Sequence, residues 1–115
     1  MEKGEEFGLV AEVDGRVVAN SGITRRGGYS RHIGELGIGI KQGYRDIGIG
    51  TEMLKALIAQ AKKIGLQMLF LDVLAGNKRA IHVYEKVGFK ETGRKPRFFY
   101  KNGEYVDDII MTKEI

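Results

Sequence analysis

The sequence predicts a mixed α/β (α+β) fold, with a mainly antiparallel sheet and two helices. Two turn signals, Asp14-Gly15 and Asn102-Gly103, each lie between segments typical of strands and therefore predict β-hairpins. Apolar residues recur at helical spacing over 50–64 and 78–87, and a short apolar run separates these two segments. The predicted order β-β-β-α-β-α-β-β is typical of a mixed sheet.

The composition is that of one folded domain over residues 1–115. Hydrophobic residues make up 43 % of the chain and charged residues 30 %, which allows a buried core. No stretch approaches the roughly 20 apolar residues of a membrane helix, and the N-terminus lacks the apolar region of a signal peptide. We therefore expect a soluble, cytoplasmic protein that makes no contact with a membrane.

Some kinds of chemistry are excluded because the residues that carry them are missing. The chain has no cysteine, which excludes a disulfide, a thiolate nucleophile and a cysteine metal site. The histidines, His32 and His82, are far apart in sequence, so we expect no metal site. The net charge of +4 suits a phosphate-bearing ligand, and the 17 glycines are about twice the ordinary share of ~7 %.

The first part of the chain predicts three strands. Residues 8–24 are predicted as a β-hairpin, because two apolar segments flank its tight turn. Residues 32–41 are predicted as the third strand, in which Gly37 and Gly39 alternate with larger apolar residues. A strand face made of small residues indicates that a ligand or another segment approaches it closely.

The second part of the chain predicts both helices and the remaining strands. An amphipathic helix over 50–64 is followed by the apolar run 66–74, predicted as a buried strand. Asn77 is a favourable N-cap for the second helix, 78–87. The residues after it form two further strands around the second hairpin turn.

The segment 45–51 lies between a predicted strand and a helix N-terminus. Gly48 and Gly50 would let the backbone approach a ligand, and successive N–H groups could converge on an anion. The alternative is a loop whose glycines serve turn geometry alone. No P-loop motif is present, and the dinucleotide fingerprint is only half matched, because Met53 stands at its third glycine. Anion binding and a plain loop both stay open on this segment.

Tyr84 lies on the inward face of the second predicted helix. At 100° per residue it shares that face with Asn77, Ala80, Ile81 and Gly88. A tyrosine on an inward face needs a partner for its hydroxyl. From this helix alone, Tyr84 could be either a functional residue or a buried tyrosine with a hydrogen-bonded hydroxyl.

The two segments together resemble the motifs of the GNAT superfamily of acyl-CoA-dependent N-acetyltransferases. The chain supplies, in the family's order, Arg45-x-x-Gly48-x-Gly50 and then Asn77-x-x-Ala80-x-x-x-Tyr84-x-x-x-Gly88-Phe89. The resemblance covers residues 8–91 and is consistent with the final hairpin. It implies a GNAT-like sheet with two helices, in which the family's first strand and helices are absent.

The resemblance implies that acetyl-CoA is the co-substrate. The loop would bind the pyrophosphate through backbone N–H groups, and the preceding strand would pair with the pantetheine arm. Asn77 would hydrogen-bond the same arm, while Tyr84 would face its sulfur. The residues so implied are Ile38, Gly39, Ile40, Arg45, Asp46, Ile47, Gly48, Ile49, Gly50, Thr51, Asn77 and Tyr84.

The implied reaction is acetyl transfer to a primary amine by direct attack in a ternary complex, without a covalent intermediate. Tyr84 would protonate the leaving thiolate. Two carboxylates are candidates for the base: Glu35 on the third strand and Asp72 on the fourth. The shorter Asp72 would act through a bridging water, and either residue could instead be an ordinary polar strand residue.

A small-molecule or peptide amine is expected as the acceptor, and a homodimer is expected because the missing first strand would expose an edge of the sheet. One alternative is a non-catalytic acyl-CoA-binding module. The other is a nucleic-acid-binding α/β domain that would use Arg25, Arg26, Arg31 and the segment 94–101, with its adjacent aromatic residues as stacking platforms. The modest net charge argues against nucleic acid.

Overall fold

One mixed sheet of six strands, with two α-helices, makes up the computed structural model, which describes residues 6–45 and 48–115. The predicted fold class is confirmed. Both helices agree with the sequence prediction to within one residue at each end. The elements are β1 Glu6–Val13, β2 Arg16–Arg25, β3 Ile33–Ile40, α1 Ile49–Lys63, β4 Met68–Leu74, α2 Lys78–Lys86, β5 Lys90–Lys101 and β6 Glu104–Glu114.

The two predicted hairpin turns are present. Asp14 and Gly15 have φ angles of 51° and 78°, and Asn102 and Gly103 have φ angles of 52° and 79°. Two consecutive positive φ angles are the geometry of a type I′ turn, whose twist matches that of the flanking strands. These turns connect β1 to β2 and β5 to β6 as antiparallel pairs.

The sheet order is β1-β2-β3-β4-β6-β5, and within the described residues β3 and β4 form its parallel pair. That pairing runs only from Ile33↔Met68 to Glu35↔Phe70. Beyond it the strands separate, leaving a wedge between residues 36–40 of β3 and 71–74 of β4. This wedge, called the splay below, interrupts the sheet beside the N-termini of both helices.

Both helices pack on one face of the sheet, where alternate residues of the strands enter the core. Gly34 of β3 belongs to this face, and a Cβ there would lie 2.7 Å from Ile23 Cγ2, so a larger residue would clash with the core. Neither α1 nor α2 covers the opposite side of the sheet, called the open face below. The largest fully buried side chains of the core are Phe89, Ile23, Leu54, Leu57, Leu69, Leu71 and Met111.

The small-residue face predicted for β3 lies on the open face. A Cβ at Gly37 would meet nothing within 4 Å, and one at Gly39 would meet Asn20 Oδ1 at 3.2 Å. No described residue requires glycine at position 37 for lack of space. The predicted close approach of a ligand to this face stays a prediction.

Candidate functional site

A cavity of about 1040 Å³ opens at the splay, between β3, both helices, β4 and the β5–β6 turn. Its volume lies at the upper end of the ~300–1,000 Å³ typical of ligand sites, which suits a long ligand. Asp46 and Ile47 lie outside the described residues, and Ile49 does not line this cavity. The sequence-predicted residues that line it are Ile38, Gly39, Ile40, Arg45, Gly48, Gly50, Thr51, Asn77 and Tyr84.

The backbone of β3 presents unpaired groups to the splay. The N–H of Arg26 donates to the carbonyl of Ile33, and the N–H of Lys41 donates to that of Val18 at 2.8 Å. Hydrogen-bonded pairs alternate along an antiparallel ladder, so in this register the backbone N–H and C=O of Gly39 are hydrogen-bonded to β2. The backbone N–H and C=O groups of Ile38 and Ile40 therefore point into the splay. Both groups of Ile38 and the N–H of Ile40 are available for an extended ligand, while the carbonyl of Ile40 accepts from Arg45.

The N-terminus of α1 forms one end of the cavity. Gly48 is its N-cap with φ of 86°, a conformation that favours glycine, and no side chain caps the helix. The N–H of Glu52 already donates to the carbonyl of Gly48 at 3.1 Å. The preceding N–H groups of the first turn have no intrahelical acceptor, and the helix dipole favours an anion there. This end can bind a phosphate group.

Basic side chains line the same cavity. Nε of Arg45 donates to the carbonyl of Ile40 at 3.3 Å, which holds the guanidinium beside the splay. Lys78 and Lys86 of α2 also line the cavity. A cationic rim beside an uncapped helix end increases the local attraction for a polyphosphate.

Asn77 serves two purposes at the start of α2. Its Oδ1 accepts a hydrogen bond from the N–H of Ala80 at 3.3 Å, so the predicted N-cap is present. Its side-chain amide also lines the cavity. Because the cap uses the oxygen, the NH₂ group is left to donate to a ligand.

Tyr84 projects from α2 into the core side of the cavity, where the residue is 8 % exposed. Its ring packs edge-on against Phe89, with centroids 6.1 Å apart. Its hydroxyl makes no hydrogen bond within the part of the chain that the structure describes. Burial raises the pKa of Tyr84 above its ordinary value of 10.0, so the phenol keeps its proton at neutral pH.

The two carboxylates predicted as candidate bases lie on the open face, across the sheet from Tyr84. Leu36 and Leu71 enter the core, so their neighbours Glu35 and Asp72 point to the opposite side. Neither carboxylate lines the cavity. Glu35 forms an ion pair with Arg26, with 3.7 Å between oxygen and nitrogen. The structure therefore separates the candidate bases from the candidate acid by the thickness of the sheet.

Two further features beside the site were not predicted from the sequence. The β5–β6 turn reaches the cavity through Lys101, Asn102 and Glu104, because β5 and β6 are longer than β4 and extend past its end. The buried carboxyl of Asp108 lies beside Asp72. The sequence signals the turn itself, but its position depends on the pairing of β6 with β4.

Comparison with known proteins decides the family. The family model described as acetyltransferase (GNAT) family matches residues 1–89. The chain belongs to this family. A crystal structure of a GNAT-family acetyltransferase from Streptococcus pneumoniae superposes with a TM-score of 0.90 at 33 % identity, over 96 % of this chain and 67 % of that one.

Two curated relatives are similar over most of this chain. One is the L-amino acid N-acetyltransferase AaaT of Escherichia coli strain K12, 30 % identical over 91 % of this chain. The other is an N-alpha-acetyltransferase of Sulfurisphaera tokodaii, 35 % identical over 84 % of this chain. The chain spans 66 % and 63 % of the lengths of these relatives. Among the described residues, no helix is long and apolar enough to cross a membrane.

Proposed function

We propose that this GNAT-family chain transfers an acetyl group from acetyl-CoA to a primary amine, by direct attack within a ternary complex. The observation that carries the proposal is the combination found in one cavity. Unpaired backbone groups of β3, an uncapped helix N-terminus and the unpartnered hydroxyl of Tyr84 all face the same space.

Acetyl-CoA would lie along the cavity from α1 to the splay. Its pyrophosphate would accept hydrogen bonds from the first-turn N–H groups of α1, within the loop 46–51 and beside Arg45. Its pantetheine amides would pair with the backbone of Ile38 and Ile40, as an added strand does. The NH₂ group of Asn77 would donate to the same arm.

The chemistry needs no covalent intermediate. The neutral amine nitrogen attacks the thioester carbon, a C–N bond forms, and the N–H of Ile38 stabilises the resulting oxyanion. Collapse of the tetrahedral intermediate breaks the C–S bond, and the thiolate takes the proton of Tyr84. The attacking nitrogen loses one proton to a base, and Tyr84 regains a proton from water, so the protons balance.

Asp72 is the base favoured by the geometry. Extending the β3–β4 register beyond Glu35↔Phe70 places Asp72 level with Gly37, where the splay begins. Glu35 is already paired with Arg26. Asp72 is exposed on the open face, so a water molecule can connect its carboxylate to an amine that enters from that side.

The acceptor proposed is an α-amine, on a free L-amino acid or at a peptide N-terminus. The Escherichia coli relative is named for L-amino acids, and the Sulfurisphaera tokodaii relative for N-alpha-acetylation. Neither α1 nor α2 packs on the open face, so an acceptor that approaches Asp72 from that side would not meet either helix.

Calorimetric titration with acetyl-CoA, followed by an assay of thiol release, tests the proposal. We expect saturable binding of acetyl-CoA and of CoA, and thiol release that depends on an added amine. The panel would contain L-methionine, L-phenylalanine and an alanine-starting peptide. Absence of binding at millimolar acetyl-CoA would refute the proposal, while binding without thiol release for any amine would favour the non-catalytic acyl-CoA-binding module.

The nucleic-acid interpretation receives little support from its own residues. Lys95 Nζ lies 4.7 Å from the ring centroid of Phe98, so that ring already has a cation over it. Arg94 donates to Asp107 at 2.9 Å, and Arg26 pairs with Glu35. The organisation as one domain, the cytoplasmic location and the homodimer stay predictions, and light scattering during size-exclusion chromatography measures the oligomeric state.

A further inference from the structure

Asp108 is a buried acidic residue that takes part in none of the steps of the proposed acetyl transfer. The residue is 1 % exposed, and its Oδ1 has no hydrogen-bond partner among the described residues. A carboxylate in such a place loses its hydration without full compensation, which favours the protonated form.

The surroundings of Asp108 place a second carboxyl group against it. Asp108 pairs with Leu74 of β4, and Asp72 stands two residues away on the same face of that strand. Asp72 is therefore a diagonal cross-strand neighbour of Asp108, and the two carboxyl groups interact. On the other flank, Lys95 of β5 is the register partner of Asp108. The described charged groups that act on Asp108 are therefore Asp72 and Lys95.

Burial is the main cause that raises the pKa of Asp108, and the interaction with Asp72 raises it further. Lys95 lowers it by a smaller amount. Asp108 therefore binds a proton more tightly than an exposed aspartate does, and the neighbouring Asp72 carboxyl is one of the causes.

We propose that Asp72 and Asp108 act together as one proton acceptor on the open face, with Asp72 nearest the acceptor and Asp108 as the positioning residue behind it. This inference rests on the proposed acetyl transfer and extends it. An ammonium acceptor gives one proton to the doubly ionised pair, through a bridging water, and becomes the neutral nucleophile. The pair passes this proton to solvent and is doubly ionised again when the nitrogen attacks. It then accepts the second proton, which the nitrogen loses from the tetrahedral intermediate, and returns that proton to solvent as well.

The pairing of Asp72 with Asp108 matters because a lone aspartate is a weak base. A free aspartate has a pKa near ~3.9, whereas an alkyl ammonium group has a pKa near ~10.4, so a lone aspartate is a poor acceptor for that proton. Because the pKa of Asp108 is raised, a proton shared with this carboxyl is held more strongly than by a lone exposed aspartate. General bases work best with a pKa near the working pH.

The test combines a titration of the free protein with a pH profile of turnover. Carbon-13 NMR of the aspartate carboxyl groups would be followed against pH in the wild type, Asp108→Asn and Asp72→Asn. We expect the Asp108 carboxyl to titrate above the ordinary range in the wild type, and at lower pH once Asp72 is replaced. The acid limb of kcat/KM, with acetyl-CoA and the best amine of the panel, should move to lower pH in Asp108→Asn by about one pH unit or more.

Asp107→Asn is the matched control, because that neighbouring carboxylate accepts from Arg94 and from the N–H of Arg97. Its acid limb should stay where the wild type has it. The inference would be overturned if the Asp108 carboxyl titrates in the ordinary aspartate range. It would also be overturned if the acid limb of kcat/KM is at the same pH in Asp108→Asn as in the wild type. If Asp108→Asn does not fold, the titration of Asp108 in Asp72→Asn provides the test: the pKa of Asp108 should be lower there than in the wild type, and an unchanged pKa would overturn the inference. A coupled titration in a protein without any amine-dependent turnover would refute the proposed function instead.

Discussion

Replacing Thr51 with glutamate is expected to abolish acetyl-CoA binding while leaving the fold intact. Thr51 lies in the first turn of α1 and lines the cavity at the uncapped helix end. A carboxylate there would face the pyrophosphate, and two like charges about 4 Å apart near a protein surface repel by roughly 4 kcal/mol. That energy corresponds to about a thousandfold weaker binding. The same carboxylate favours the helix itself, because acidic groups stabilise helix N-termini by about 0.3–1 kcal/mol.

Calorimetry with acetyl-CoA, alongside urea unfolding, separates these two effects. Thr51→Gln is the control, since glutamine has the size of glutamate without its charge. We expect the glutamine variant to retain most of the binding and both variants to unfold at or above the wild-type urea midpoint. Equal losses in the two variants would show that bulk, and not charge, matters at this position, and would argue against a phosphate at α1.

Replacing Tyr84 with phenylalanine is expected to lower kcat by about 10²–10⁴-fold, the usual contribution of a general acid. Acetyl-CoA affinity should change little, because the ring keeps its place against Phe89 and the hydroxyl has no described protein partner to lose. The raised pKa of Tyr84 keeps the acid protonated across the neutral range. Activity that depends on this proton should fall only as the pH rises through that pKa, above its ordinary value of 10.0.

Steady-state kinetics and calorimetry on the same preparations check the role of Tyr84. Tyr100→Phe removes the equivalent hydroxyl from an exposed tyrosine of β5 and should leave both quantities unchanged. If Tyr84→Phe weakens acetyl-CoA binding as much as it lowers turnover, Tyr84 is a packing residue and the thiolate obtains its proton elsewhere.

Local signals in the sequence were sufficient to predict the helices, strands and hairpin turns of this fold. The turn at Asp14-Gly15 depends on two residues that tolerate positive φ, and the helix starting after Asn77 depends on one capping side chain. The inward position of Tyr84 follows from helical spacing alone. Each of these features is decided by residues adjacent in sequence, which is why each could be predicted.

Features that depend on pairing between distant segments could not be predicted in this way. Asp107 and Asp108 are adjacent and chemically identical, and the sequence does not tell which one is buried. The burial of Asp108 follows from the neighbours of β6 in the sheet, where β4 and β5 place Asp72 and Lys95 beside it. The length of the splay is likewise decided by where β3 stops pairing with β4.

The alternating backbone of β3 should also appear in the rates at which its amide hydrogens exchange with solvent. The N–H groups of Gly37 and Gly39 are in hydrogen-bonded pairs with β2, while those of Ile38 and Ile40 face the splay. From Gly37 to Ile40 the strand therefore carries slow and fast amides in alternation, although strands in a sheet ordinarily exchange as a block. A ligand arm lying in the splay would slow the amides of Ile38 and Ile40 and leave those of Gly37 and Gly39 as they were.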